Sequence, residues 1–191
     1  MLRKATPERL TLFSDGVFAV LITVLVLELR PPAQSTYAAL LAHWPSWLSY
    51  GMSYVFIAIV WMNHHYLLRY AREATPRLLW TNFAHLFAMS LVPLSTAWMA
   101  RSKLAPAPVS FYAAVFVLVN ATYLGLITEL IGRAPADVAP ARIRHRMRLR
   151  ATFTLGLFVV ATVVGLFAPL IAIALCFVCL VVYLRPDPPG V

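Results

Sequence analysis

The chain has 191 residues, 61% of them hydrophobic and 12% charged, with a mean hydropathy of +0.78. Soluble domains hold roughly 45–50% apolar and 25% charged residues, and a domain this small has too little interior to hide the excess. That composition excludes a soluble enzyme, a disordered tail and a disulfide-stapled secreted domain, and it indicates an integral membrane protein. Sixteen Lys and Arg against seven Asp and Glu give a net charge of +9. The basic residues fall in the gaps between apolar runs, a pattern of membrane topology and anionic headgroup contact rather than of nucleic-acid binding.

A helix needs roughly 20 apolar residues to cross the hydrocarbon layer. Read in chain order, the sequence predicts an all-α polytopic unit over residues 1–191 with six spans, at about 10–28, 46–68, 78–99, 109–131, 149–166 and 170–184. Pro31 and Pro32 stop the first, Trp44-Pro45 introduces the second, and Pro169 divides an apolar run too long for one crossing. Arg3 and Lys4 ahead of an apolar stretch resemble a signal peptide. Asp15 interrupts that stretch and no small-x-small cleavage site precedes Pro31, so it reads as a retained first helix.

Six spans place both termini on one side. That side collects thirteen basic residues, among them Arg3, Lys4, Arg9, Arg69, Arg72, Arg77, Arg133 and the alternating arginines of 142–150; the other holds Arg30, Arg101 and Lys103. The positive-inside rule makes the termini cytoplasmic, in a plasma or inner membrane. The run 142–150 is expected to be a cytoplasmic loop leading into the fifth span. With no large loop and no Gly-rich phosphate cradle, the chain has no room for an ATPase or an extramembrane sensor, and no soluble partner or nucleic acid is expected. Cys176 and Cys179 lie inside the last apolar run and are expected to be packing residues.

Polar residues inside hydrocarbon are costly and need a reason. The first span carries Phe13-Ser14-Asp15, the second ends in Trp61-Met62-Asn63-His64-His65, the third holds Asn82 and His85, and the fourth Asn120 and Glu129. One reading is a buried network that locks helices together; the other is a proton relay or ion site. Adjacent histidines point about 100° apart on a helix, and no HExxH-like pattern is present, so neither a metal site nor a cofactor is indicated. No Ser has a recognisable base and no carboxylate pair suggests acid–base chemistry, so an enzyme is not expected. On the first helix Val20, Val24 and Leu27 share one uncharged stripe with Phe13, and Asp15 lies about 140° from Val20. Periodicity alone leaves open whether that stripe faces lipid.

The segment Arg9-Leu10-Thr11-Leu12-Phe13-Ser14-Asp15-Gly16-Val17-Phe18-Ala19-Val20-Leu21-Ile22-Thr23 resembles the first-helix signature of the transmembrane-protein-175 family of potassium channels. The stretch 50–65 with Ser53, Trp61, Asn63, His64 and His65 is similar to that family's second helix, and Leu79-Trp80-Thr81-Asn82 with Ser90-Leu91-Val92-Pro93 to its third. The resemblance covers about the first hundred residues. It implies a six-helix bacterial-type subunit, a homotetramer, and passive conduction of K+ through a pore lined by first helices. Carried over by position, Val20, Val24 and Leu27 form the constriction and Thr23 a polar layer. Arg9, Phe13, Ser14 and Asp15 then have structural roles, bonded to Trp61, Asn63, His64 and Asn82. The family has Ile or Leu where this chain has Val at 20 and 24, which implies a wider and less selective gate. Two alternatives stand beside the channel: a proton-coupled transporter using Asp15 and His64 or His65, and a non-conducting scaffold subunit.

Overall fold

The computed structural model describes residues 6–132 and 140–183. Every regular element among them is an α-helix, in the order α1 (Pro7–Leu27), α2 (Tyr37–Ala42), α3 (Trp44–Leu68), α4 (Pro76–Ser90), α5 (Val92–Arg101), α6 (Pro106–Leu130), α7 (Ala141–Gly165) and α8 (Pro169–Tyr183). The starts are written in the sequence. Thr6, Thr36 and Thr75 each accept a backbone N–H of the first turn with the side-chain oxygen. Proline occupies the first or second position of α1, α3, α4, α5 and α6, where its missing N–H costs nothing. Among the described residues four segments are long and apolar enough to cross a membrane, 7–27, 76–101, 106–130 and 141–165, and Pro169–Val181 is a shorter apolar helix.

The core forms around α6, which packs against α4, α5, α7 and α8. Phe116 of α6 stacks on Phe56 of α3 with centroids 3.6 Å apart, and Phe158 of α7 meets both edge-on. Near the end of α7, Gly165 lies against the Ser110 backbone of α6; a β-carbon there would stand 3.0 Å from Ser110 N and Cα. Ser110 Oγ donates to the Thr162 carbonyl at 2.7 Å across the same contact. Cys176 and Cys179 are free thiols buried in this core.

Two features differ from expectation. The third apolar run is not one straight helix: α4 ends at Ser90 and α5 starts at Val92, because Pro93 has no N–H to give the Met89 carbonyl. The run 142–150 is helix, not loop. α7 begins at Ala141, so its first turns carry the arginines directly into the apolar segment, as arginine's good helix propensity permits. The C-terminal end of the predicted sixth span, residue 184, lies outside the described residues.

A buried polar network and an outward apolar stripe on the first helix

α1 has two unlike faces. Leu10, Ser14, Phe18, Leu21 and Leu25 are buried, at spacings of three and four that make one stripe. This stripe packs on α3 and α4. The buried Ser14 starts a chain of bonds. Its hydroxyl donates to the Leu10 carbonyl at 2.9 Å and accepts from Asn82 Nδ2 of α4 at 3.0 Å. Asn82 Oδ1 has only lone pairs to offer, so His64 Nε2 of α3 donates to it, at 2.7 Å. Three helices are thereby tied through two side-chain bonds, all of them buried.

The His64 ring lies parallel to His85, 5.6 Å between centroids, and tilts against Phe18 at 5.4 Å. His85 Nδ1 pairs with Thr122 Oγ1 of α6 at 3.0 Å, and the Thr122 hydroxyl itself donates to the Leu118 and Val119 carbonyls. Both rings therefore spend their N–H on a protein acceptor and keep a lone pair on His64 Nδ1 and His85 Nε2, each buried without a protein partner.

Asp15 is half-buried beside this network. Its Oδ1 accepts from Trp61 Nε1 at 2.8 Å, so the carboxylate is satisfied by an indole rather than by His64 or His65. Phe13 meets Phe83 of α4 edge-on at 5.7 Å. The structure thus brings Phe13, Ser14, Asp15, Trp61, His64 and Asn82 to the α1–α3–α4 contact. Two other predicted members do not join it. Asn63 turns its amide back to the Ile59 carbonyl of its own helix at 2.9 Å, and Arg9 is exposed on the first turn of α1.

The opposite face of α1 has no cover among the described residues. Val20 is 58% exposed, Val24 38% and Leu27 78%. Thr23 is exposed among them and donates its hydroxyl to the Val20 carbonyl at 2.7 Å. Gly16, one turn before Val20, has open space where a side chain would be. The stripe contains no charge.

Sequence reasoning missed a second buried polar cluster. Ser53 of α3 sits 2.7 Å from Thr96 Oγ1 of α5 and 3.0 Å from Tyr112 OH of α6. Thr96 donates to the Val92 carbonyl, so its oxygen is free to accept from Ser53, which in turn accepts from Tyr112. The only sequence signal was three isolated hydroxyls in apolar runs. At the helix ends, Arg77 pairs with the buried Glu129 at 2.9 Å and Arg101 with Glu28. Among the described residues no group of three His, Cys, Asp or Glu side chains is placed to hold a metal ion.

Comparison with known proteins gives four findings. The family model of the endosomal/lysosomal potassium channel TMEM175 matches residues 9–93. A potassium channel of Chryseobacterium sp. is 31% identical over 182 residues, covering 95% of this chain and 94% of its own. The endosomal/lysosomal proton channel TMEM175 of Homo sapiens is 30% identical over 135 residues, 64% of this chain but 26% of that longer protein. Among solved structures, the crystal structure of a lysosomal potassium-selective channel TMEM175 homolog from Chamaesiphon minutus superposes with a TM-score of 0.84 at 26% identity. It covers 93% of this chain and 96% of that one.

Proposed function

Because this chain belongs to the TMEM175 family, it is a potassium-permeable membrane channel rather than an enzyme, and we propose that it conducts as a homotetramer through a central pore lined by α1. A single chain cannot enclose a path, so conduction needs copies arranged about an axis. The observation that carries the reading is the uncovered stripe of Val20, Val24 and Leu27 on a helix whose other face is fully engaged. Placed around a fourfold axis, the stripe gives three apolar rings, about 6 Å and 4.5 Å apart along the helix at 1.5 Å per residue. Narrow apolar rings exclude water and ions until they widen, so the resting pore is a hydrophobic gate.

In this arrangement Asp15 stays off the axis, held by Trp61. Selectivity then rests on dehydration of K+ at the rings, assisted by Thr23, with no carbonyl filter of the TVGYG kind and no resident cofactor. Six membrane helices (α1, α3, α4 with α5, α6, α7 and α8) and cytoplasmic termini in a plasma or inner membrane complete the proposal.

The test is ion flux in liposomes containing the tetramer. Val20→Asn and Val24→Asn are expected to raise K+ flux and reduce the preference for K+ over Na+, and Thr23→Val to change selectivity more than flux. Unchanged flux and selectivity in all three, in a conducting tetramer, would mean that α1 does not line the path. The human relative's description as a proton channel favours a second reading, in which protons share this pore. Flux under a pH gradient with K+ absent checks it; a carrier would instead require both ions.

A further inference from the structure

At the C-terminal end of α1 the charges are distributed unevenly. Arg30, Arg101 and Lys103 lie at this end, as do the start of α3, the end of α5 and the start of α6. Among the described residues the one carboxylate here is Glu28. It caps α1 immediately after Leu27, about 80° around the helix from Val20. Arg101 Nη2, from the last turn of α5, donates to Glu28 Oε2, and both side chains keep solvent contact, 57% exposed for Arg101 and 36% for Glu28. The last carbonyls of α1 add the negative end of its dipole at the same place.

We propose that Glu28, held beside the outermost apolar ring by Arg101, is the residue that lowers the repulsion of this basic mouth of the pore toward cations. The inference rests on the α1-lined tetramer. Fourfold symmetry makes Glu28 a ring of four carboxylates flanking the Leu27 ring, each tethered by a cation set further from α1. The tether does two things. It fixes the carboxylate at the flank of the apolar stripe instead of letting it swing across the path, where it would bind K+ and slow its exit. It also offsets part of the ring's charge, so the carboxylates ease K+ entry without making a tight site. Removing the carboxylate leaves Arg30, Arg101 and Lys103 of every subunit uncompensated, and the mouth repels cations more strongly. Removing the arginine frees the carboxylate and takes one positive charge from each subunit, so the repulsion falls.

Such an effect is a field effect in water, and it fades as salt shortens the screening length from about 14 Å at 0.05 M to about 3 Å at 1 M. The experiment is single-channel conductance of the reconstituted tetramer in symmetric KCl at these two concentrations. At the low concentration Glu28→Gln is expected to reduce K+ conductance by about twofold or more and Arg101→Gln to increase it, both returning near wild type at 1 M. The paired exchange Glu28→Arg with Arg101→Glu restores the ion pair while placing the cation on α1. It should conduct poorly at low salt, whereas a purely structural tether would be rescued by it. Wild-type conductance in all three at low salt overturns the inference while Val20→Asn still reports the pore. A loss that persists at 1 M overturns it in favour of structural damage. If Val20→Asn also changes nothing, the pore assignment falls and this inference with it.

Discussion

Each bond of the α1–α3–α4 network has its direction set by what the atoms can offer. Asn82 sits in the middle, giving its amide hydrogens to Ser14 and taking the His64 N–H on its oxygen. Asn82→Ala leaves the buried His64 N–H without its acceptor, a loss of about 1–3 kcal/mol, while the Ser14 hydroxyl keeps its bond to the Leu10 carbonyl. Thermal unfolding in detergent should show a lowered midpoint, and size-exclusion chromatography a reduced yield of tetramer. Asp15→Asn is milder, since its remaining carbonyl oxygen still accepts from Trp61 at the same 2.8 Å position. Its tetramer yield should fall less than that of Asn82→Ala. An intact Asp15→Asn tetramer that lost only proton-driven transport would replace the channel reading with the carrier.

At the scale of elements, glycines at two places on α7 make opposite predictions. Gly156 faces open space, so Gly156→Ala should be neutral or stabilise by up to about 1 kcal/mol through helix propensity. Gly165 lies on the Ser110 backbone, which cannot swing aside as a side chain would. Gly165→Ala must push α6 and α7 apart, at a cost of about 1–3 kcal/mol for overpacking. Calorimetry of the two variants in one detergent checks the contrast. The positions of these helices were largely legible, since proline starts, threonine caps and apolar runs are local signals. The break at Leu91 was not read, although Pro93 is visible, because a continuous run of apolar residues hides a joint. The helical state of 142–150 was not legible. Arginines spread over two faces argue against a binding stripe, yet they say nothing against a helix. In the site, the motif 13–15 pointed to its partners in Trp61, His64 and Asn82, whereas Asn63 satisfies itself locally at i−4, a choice that composition does not encode. Ser53, Thr96 and Tyr112 come together from three helices, 43 and 59 residues apart in the chain from Ser53, so only the fold joins them.

For the whole molecule, the strongest remaining lever is the asymmetry of charge between its two ends. The ends that bear α1's start, the α3–α4 turn and the first turns of α7 carry Arg9, Arg69, Arg72, Arg77 and the five arginines of 142–150. The opposite end carries three basic residues and compensates one with Glu28. During insertion arginines resist transfer across the membrane, so the richer end is expected to stay inside. The pair between the exposed Arg77 and the buried Glu129 gives that end a structural stake as well, because it clasps the start of α4 to the end of α6. Residues 31–36 and 102–106 should therefore face the outside. Single cysteines introduced at Gln34 and Lys103 test this in intact cells, and the native Cys176 and Cys179, being buried, add little background. A membrane-impermeant maleimide applied from outside should label both positions, while a cysteine at Glu73, in the α3–α4 turn, should label only after the cells are opened. Labelling of Glu73→Cys alone from outside would invert the orientation, and with it the side on which Glu28 meets incoming cations.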